Sequence, residues 1–196
     1  MSIWVTLAVG YLLGSIPFGL LLSRMAGEGD IRAIGSGNIG ATNVLRTGNK
    51  KLAALTLLFD AGKAIVAGLV AKFAFGEPAL WGAAAALIGH CYPVWLKFRG
   101  GKGVATFFGG MFVGPPLLIP VAIVTWIGIA ALFRYSSLAA LTTALVVLVV
   151  AWWLYPQPWV IGPLLVMVAI IFWRHRDNIG RLRRGEESKI GSKSEA

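Results

Sequence analysis

Long apolar runs with few ionisable residues alternate along this chain with short polar, glycine-bearing segments. The runs predict membrane-spanning helices over about Ile3 to Ser23, Leu52 to Phe75, Ala79 to Leu96, Gly103 to Val113, Leu117 to Phe133, Ser137 to Leu154 and Trp159 to Trp173. The expected fold is therefore an all-α integral membrane protein, a polytopic bundle of about seven transmembrane helices within a single domain, 1–196. The fourth run is short: ten or so residues at about 1.5 Å each reach only about 15 Å, half the hydrocarbon thickness. Merging it with the fifth would put Pro115 and Pro116 at the centre of one helix and send the basic tail to the other side. At least one helix is thus expected to be short or broken, which bilayers tolerate where protein lines a cavity.

Composition supports this reading, with 57% hydrophobic residues, 13% charged residues and a mean hydropathy of +0.76 over 196 residues. The first run has no Lys or Arg before it, lacks a small-residue cleavage pattern, and is followed by Arg24, so it is expected to be a retained span. A net charge of +10 would suggest nucleic acid in a soluble protein; here the distribution of the cations is more informative. With the N-terminus outside, the inner segments collect Arg24, Arg32, Arg46, Lys50 and Lys51, then Lys97, Arg99 and Lys102, then Arg134. The cytoplasmic C-terminal tail adds Arg174, Arg176, Arg181, Arg183, Arg184, Lys189 and Lys193, so 16 of the 18 basic residues lie inside. Only Lys63, within a span, and Lys72, near an outer end, fall elsewhere. The outer connections are barely turns, so the chemistry is expected on the inner face.

Three inner segments carry that chemistry: the loop 24–51, the glycine-rich segment 97–106 and the tail 174–196. In the first, Gly35, Gly37 and Gly40 spell G-x-G-x-x-G with Asp60 twenty residues on, but no strand precedes them and Asp60 lies in a span, which excludes a dinucleotide fold. The glycines let backbone amides approach an anion, and Ser36, Asn38, Thr42 and Asn43 add neutral hydrogen-bonding groups. If helical, Asn38, Thr42 and Arg46 share one face. In the second, Arg99, Gly100, Gly101, Lys102 and Gly103 lead into a helix N-terminus, a phosphate-binding arrangement that is not a Walker loop because glycine follows the lysine. Lys97 and His90 are near enough to line the same cavity. In the third, His175 and Asn178 are three apart, on one face if the helix continues, and Gly180 or Gly185 would end it. The tail arginines also suit a juxtamembrane stop signal that attracts anionic lipid. The last residues, from Glu186, are expected to form a short mobile tail.

Asp60 and Lys63 form an i,i+3 pair about 12 and 17 Å below the inner boundary. A structural ion pair and a substrate-cavity role both explain such costly intramembrane charges. The single cysteine, Cys91, excludes an internal disulfide and a cysteine-cluster metal site, and no clustered ligands suggest any metal.

The segments GSGNIGATN at Gly35 to Asn43, GHCYPVWLKFRGGKGVAT at Gly89 to Thr106, and RHRDNIGRLRRGEE at Arg174 to Glu187 resemble the three signature motifs of the bacterial acyl-phosphate:glycerol-3-phosphate acyltransferases. The resemblance covers essentially the whole chain. It implies an inner-membrane enzyme of phospholipid biosynthesis that moves a fatty acyl group from acyl phosphate to the 1-hydroxyl of glycerol 3-phosphate. Lysophosphatidate and phosphate would be the products, with no cofactor, no acyl-CoA, no acyl-carrier protein and no obligate protein partner. It further implies an essential serine and arginine at Ser36 and Arg46, and a glycerol-phosphate loop at Gly100, Gly101, Lys102 and Gly103. His175 and Asn178 would match residues important for activity, and Glu186 a glutamate of structural weight.

The expected catalytic set is His175, Asn178 and Ser36. The expected substrate contacts are Arg46, Lys102, Gly100, Gly101, Gly103, Lys97, Asn38, Thr42, Asn43, Lys63 and His90. Three mechanisms fit: acylation of Ser36, deprotonation of the glycerol hydroxyl by His175, or proton transfer to a bound phosphate. Direct transfer is preferred because no Gly-x-Ser-x-Gly elbow is present. The alternative from another class is an organic-phosphate transporter or lipid flippase, which the missing inverted repeat and one-sided chemistry disfavour.

Overall fold

A backbone in hydrocarbon must satisfy its own amides, so the apolar runs become helices. A computed structural model describes residues 3–191 of the chain, and among them there is no strand. The first run forms α1 (Ile3–Gly14) and α2 (Phe18–Met25), broken where Pro17 lacks an N–H. Carbonyls freed by the break find side-chain donors from elsewhere: Trp95 Nε1 donates to Ser15 O at 2.6 Å, and Lys63 Nζ to Ile16 O at 3.0 Å. The loop that follows contains one short α-helix, α3 (Ala41–Val44), and 3₁₀ turns at Ile31–Ala33 and Leu45–Thr47. Next comes α4 (Lys50–Phe75), capped by Asn49 Oδ1 accepting from Leu52 N at 3.0 Å.

Then follow α5 (Ala79–Cys91), α6 (Val104–Val113), α7 (Leu118–Phe133) and α8 (Ser136–Leu154). The chain ends in α9 (Pro158–Arg174) and α10 (Arg176–Arg184), which meet at a 55° bend. Helix limits agree with the apolar runs to within a few residues. By length and composition alone, four helical stretches suffice to cross a membrane: Ile3–Met25, Lys50–Phe75, Ala79–Leu96 and Ser136–Leu154. A fifth follows if the bent α9–α10 pair is one span, whereas α6 and α7 are apolar but shorter.

The alanine- and glycine-rich α5 occupies the centre, packed against α1, α4, α6 and α9. Without a hydrophobic drive between helices in lipid, such packing depends on small residues that let backbones approach. A Cβ on Gly14 would fall on the Ala86 backbone, and one on Gly109 on the Ala61 carbonyl. Leu87, Phe107, Met111, Leu164, Met167 and Ile171 fill the main core. Gly14→Val is therefore expected to lower the thermal unfolding temperature in detergent by several degrees, by about the 1–3 kcal/mol of an overpacked core. An unchanged melting curve would contradict this packing.

At the polar end the structure departs from expectation. Asn38 precedes α3, and Arg46 lies beyond it in a 3₁₀ turn, Leu45–Thr47, so Asn38, Thr42 and Arg46 do not share a helical face. Gly185, at φ +72°, ends α10. Nor are the residues after α10 a free tail. Ile190 N donates to Arg134 O at 2.6 Å, and Arg134 Nη2 to Ile190 O at 3.1 Å, strapping the segment across the start of α8. Lys193 and the rest of 192–196 lie outside the described residues.

Candidate active site

The glycine segment follows a 3₁₀ turn at Val94–Leu96, with Lys97 and Phe98 in the left-handed region. It then folds back on the end of α5. Gly100 N donates to Cys91 O at 3.1 Å and Gly101 N to His90 O at 3.0 Å. Arg174 Nη2 donates to Gly100 O at 2.7 Å and Arg174 Nε to Gly101 O at 2.9 Å, with its guanidinium 5.4 Å from the Tyr92 ring centroid. These bonds occupy the backbone amides of the two glycines expected to contact substrate. Their amides are committed to the protein, while Lys102 and Gly103, at φ +81°, stand at the N-terminus of α6.

Lys102 reaches the third segment. Its Nζ donates to Asn178 Oδ1 at 2.5 Å, and Asn178 Nδ2 donates to Glu187 Oε1 at 2.6 Å. Glu187 also accepts from Ser137 Oγ at 2.7 Å and from Arg181 Nε at 2.7 Å. Burial disfavours its charge, but these three donors prevail and hold the carboxyl below its ordinary value. Burial, with Arg181 and Arg174 nearby, brings the Lys102 ammonium down to about 8.

His175 sits at the break between α9 and α10, 3% exposed. Its Nδ1 lies 2.8 Å from Ile171 O, a group that only accepts, so the proton is assigned to Nδ1 and Nε2 is left as the acceptor. Burial lowers this imidazole to about 4 despite the carbonyl contact, and Lys102 pushes the same way. At neutral pH it is uncharged.

The first segment joins the others through Arg46, whose Nη2 donates to Ser188 Oγ at 2.9 Å. Gly35, at φ +55°, lies so close to the Arg46 and Asn43 side chains that a Cβ would collide with both. Ser36 donates to Asn43 Oδ1 from both its N, at 3.1 Å, and its hydroxyl, at 3.3 Å. Asn43, 1% exposed, donates onward to Ile31 O at 2.8 Å. It is thus a buried brace for the loop, not the substrate-facing group expected. Thr42 and Lys97 are exposed and Asn38 half-buried, and no described hydrogen bond ties them to the Lys102 network.

Lys63 and His90, expected against substrate, are instead 5% and 4% exposed and paired with Asp60 behind the glycine loop. Glu186, expected to bear structural weight, lies exposed on Arg184, while its neighbour Glu187 ties α10 to α8. Sequence reasoning also passed over Arg174, counted only as a stop-signal cation, and Ser137. Among the described residues, no group of three His, Cys, Asp or Glu side chains is placed to hold a metal.

The whole fold matches a solved structure of PlsY (YgiH), an integral membrane glycerol 3-phosphate acyltransferase in its glycerol 3-phosphate form. The TM-score is 0.90 at 36% identity, covering 97% of this chain and 96% of that one. The lysophosphatidic acid form of that protein matches with a TM-score of 0.88 over the same shares. Fold and site together define an integral membrane acyltransferase. The family model for glycerol-3-phosphate acyltransferase matches residues 4–185. A protein named glycerol-3-phosphate acyltransferase from Allorhizobium ampelinum is 58% identical over 193 residues, spanning 96% of this chain and 92% of its own length. One of the same name from Caulobacter vibrioides is 53% identical over 200 residues, spanning 100% and 91%. The chain belongs to the glycerol-3-phosphate acyltransferase family.

Proposed function

We propose that this chain transfers a fatty acyl group from acyl phosphate to the 1-hydroxyl of glycerol 3-phosphate, releasing lysophosphatidate and inorganic phosphate for phospholipid biosynthesis. The observation that carries this reading is the Lys102–Asn178–Glu187 chain beside neutral His175, with Arg46 tied to the same strap. One substrate is a water-soluble phosphate ester and the other bears a long acyl chain. A cationic cluster at one end of an apolar bundle suits both. The distribution of cations supports seven spans with the N-terminus outside, and a site on the cytoplasmic face of a bacterial inner membrane.

In this mechanism Lys102, Arg46 and the amides opening α6 neutralise the substrate phosphates. Asn38, Thr42 and Lys97 form the outer rim. The glycerol hydroxyl attacks the acyl carbonyl carbon, the new ester bond forms, and the bond from carbonyl carbon to phosphate oxygen breaks. His175 Nε2 accepts the hydroxyl proton and passes it to the departing phosphate. Acyl phosphate is an activated mixed anhydride, so a weak base and good positioning suffice. Asn178 and Ser36 orient the reacting groups, since the Ser36 hydroxyl is engaged by Asn43. No cofactor or protein partner enters the step.

Lys102 at about 8 sets a pH dependence. The side chain is protonated below that value and neutral above it, so phosphate affinity is lost as pH rises. KM for glycerol 3-phosphate is expected to be flat below pH 7 and to climb above about pH 8; a flat KM to pH 9.5 would remove Lys102 from the phosphate. For the reaction itself, protein reconstituted in sealed vesicles is supplied with labelled glycerol 3-phosphate. Label appearing in lipid only when acyl phosphate is present supports acyl transfer, and soluble label accumulating in the lumen would favour transport.

A further inference from the structure

A cluster outside the proposed contacts sits directly behind the glycine loop. Lys63 Nζ lies 2.9 Å from Asp60 Oδ1, 2.8 Å from His90 Nδ1 and 3.0 Å from Ile16 O. An ammonium only donates: it hydrogen-bonds Ile16 O and His90 Nδ1, and its contact with Asp60 Oδ1 is an ion pair. His90 Nδ1 is therefore the accepting nitrogen, and the ring proton belongs on Nε2. The Asp60 carboxylate lies 3.4 Å from the same Nδ1, so carboxylate and ring share the Lys63 ammonium between them. Charges at this depth are costly, and a closed pair explains how they are tolerated but not what they hold.

The opposite edge of the ring answers that. His90 Nε2, Cε1 and Cδ2 are the three atoms nearest to where a Gly101 Cβ would stand, and all three would collide with it. Gly101 is not in the left-handed region, so its backbone would accept alanine, and the imidazole is the nearest obstacle to the added methyl. The His90 carbonyl accepts from Gly101 N at 3.0 Å. Ring and carbonyl of one residue thus contact the loop that carries Lys102, while Arg174 holds its two glycine carbonyls.

We propose that His90, locked by Asp60 and Lys63, is a positioning residue that holds the glycine loop, and with it Lys102, in register with the phosphate-bearing substrate. It touches no reacting atom. The inference rests on the acyl-transfer reading above and adds to it the origin of the loop's geometry.

The test is a double-mutant cycle on the full-length protein in detergent, assayed with acyl phosphate and glycerol 3-phosphate. His90→Asn keeps an acceptor for Lys63 but clears the face against Gly101; His90→Ser does the same with a smaller group and is run in parallel. His90→Asn alone is expected to raise KM for glycerol 3-phosphate about tenfold with kcat within about threefold. Gly101→Ala alone should cost about a hundredfold in kcat/KM, and the double variant should recover about tenfold of that loss because the collision is gone. A general loss of folding would depress every variant together and could not make the double variant better than Gly101→Ala. Wild-type KM in both His90 variants, or a double variant no better than Gly101→Ala, would overturn the proposal. Inactive wild-type protein would instead overturn the proposed reaction, so the two failures are distinct.

Discussion

Lys102→Ala is expected to raise KM for glycerol 3-phosphate by about a hundredfold while kcat at saturation stays within about threefold. The magnitude follows from what the side chain offers. A hydrogen bond to a charged group is worth about 1.5–3 kcal/mol, or roughly ten- to 150-fold in affinity. Lys102 stands at the N-terminus of α6 on a loop held by His90, Cys91 and Arg174, so little ordering remains when phosphate arrives. Its ammonium rests on Asn178, a neutral partner that phosphate readily displaces. Lys102→Arg should rescue only part of the loss, because a planar fork cannot reproduce a compact cation in a largely buried position. A fall in kcat with unchanged KM would mean that Lys102 serves the transition state and not the ground state.

His175→Ala is expected to show the reverse split, lowering kcat by about 10²–10³ with KM within about threefold. With Nδ1 bound to Ile171 O, the ring keeps Nε2 as a fixed acceptor, with Lys102 near enough to disfavour its protonation. His175→Asn should not restore the rate, because an amide cannot take up the proton. The low proton affinity of the imidazole, about 4, means that activity is not lost by its protonation until well below pH 6. Single-turnover mixing with acyl phosphate should trap no acyl-serine at Ser36, whose hydroxyl is bonded to Asn43. A trapped Ser36 ester would replace direct transfer with a two-step route. Equal effects of the two alanine variants on both kinetic parameters would mean that the roles are assigned wrongly.

Much of this architecture was legible because hydrocarbon imposes a local rule. Every backbone amide must be satisfied within its own run, so the apolar stretches fixed helix limits such as Ala79 and Val113 without any tertiary information. The break at Pro17 and the bend after Arg174 were not legible at that level. The first depends on Lys63 and Trp95 supplying donors from distant segments, the second on a junction centred on His175. At the site, chemistry-bearing residue types were recognisable but their partners were not. Gly100 and Gly101 look like phosphate cradles until the His90 and Cys91 carbonyls are seen to claim their amides. Asn43 looks like a ligand until its burial against Ile31 is known. Glu186 and Glu187 are adjacent and identical in kind. Only the fold of the strap decides that Glu187 faces Asn178, Ser137 and Arg181.

Hydrogen bonds between distant segments join the three polar stretches: Arg46 to Ser188, Lys102 to Asn178, Arg174 to Gly100 and Gly101. The central claim is that this meeting point exchanges an acyl group between two phosphate compounds. Its most direct measurement is the product formed by purified protein given labelled glycerol 3-phosphate with acyl phosphate, acyl-CoA or acyl-carrier protein as donor. Labelled lysophosphatidate with acyl phosphate alone is the expected result. No labelled lipid from acyl phosphate, in protein shown to be folded, would contradict the account.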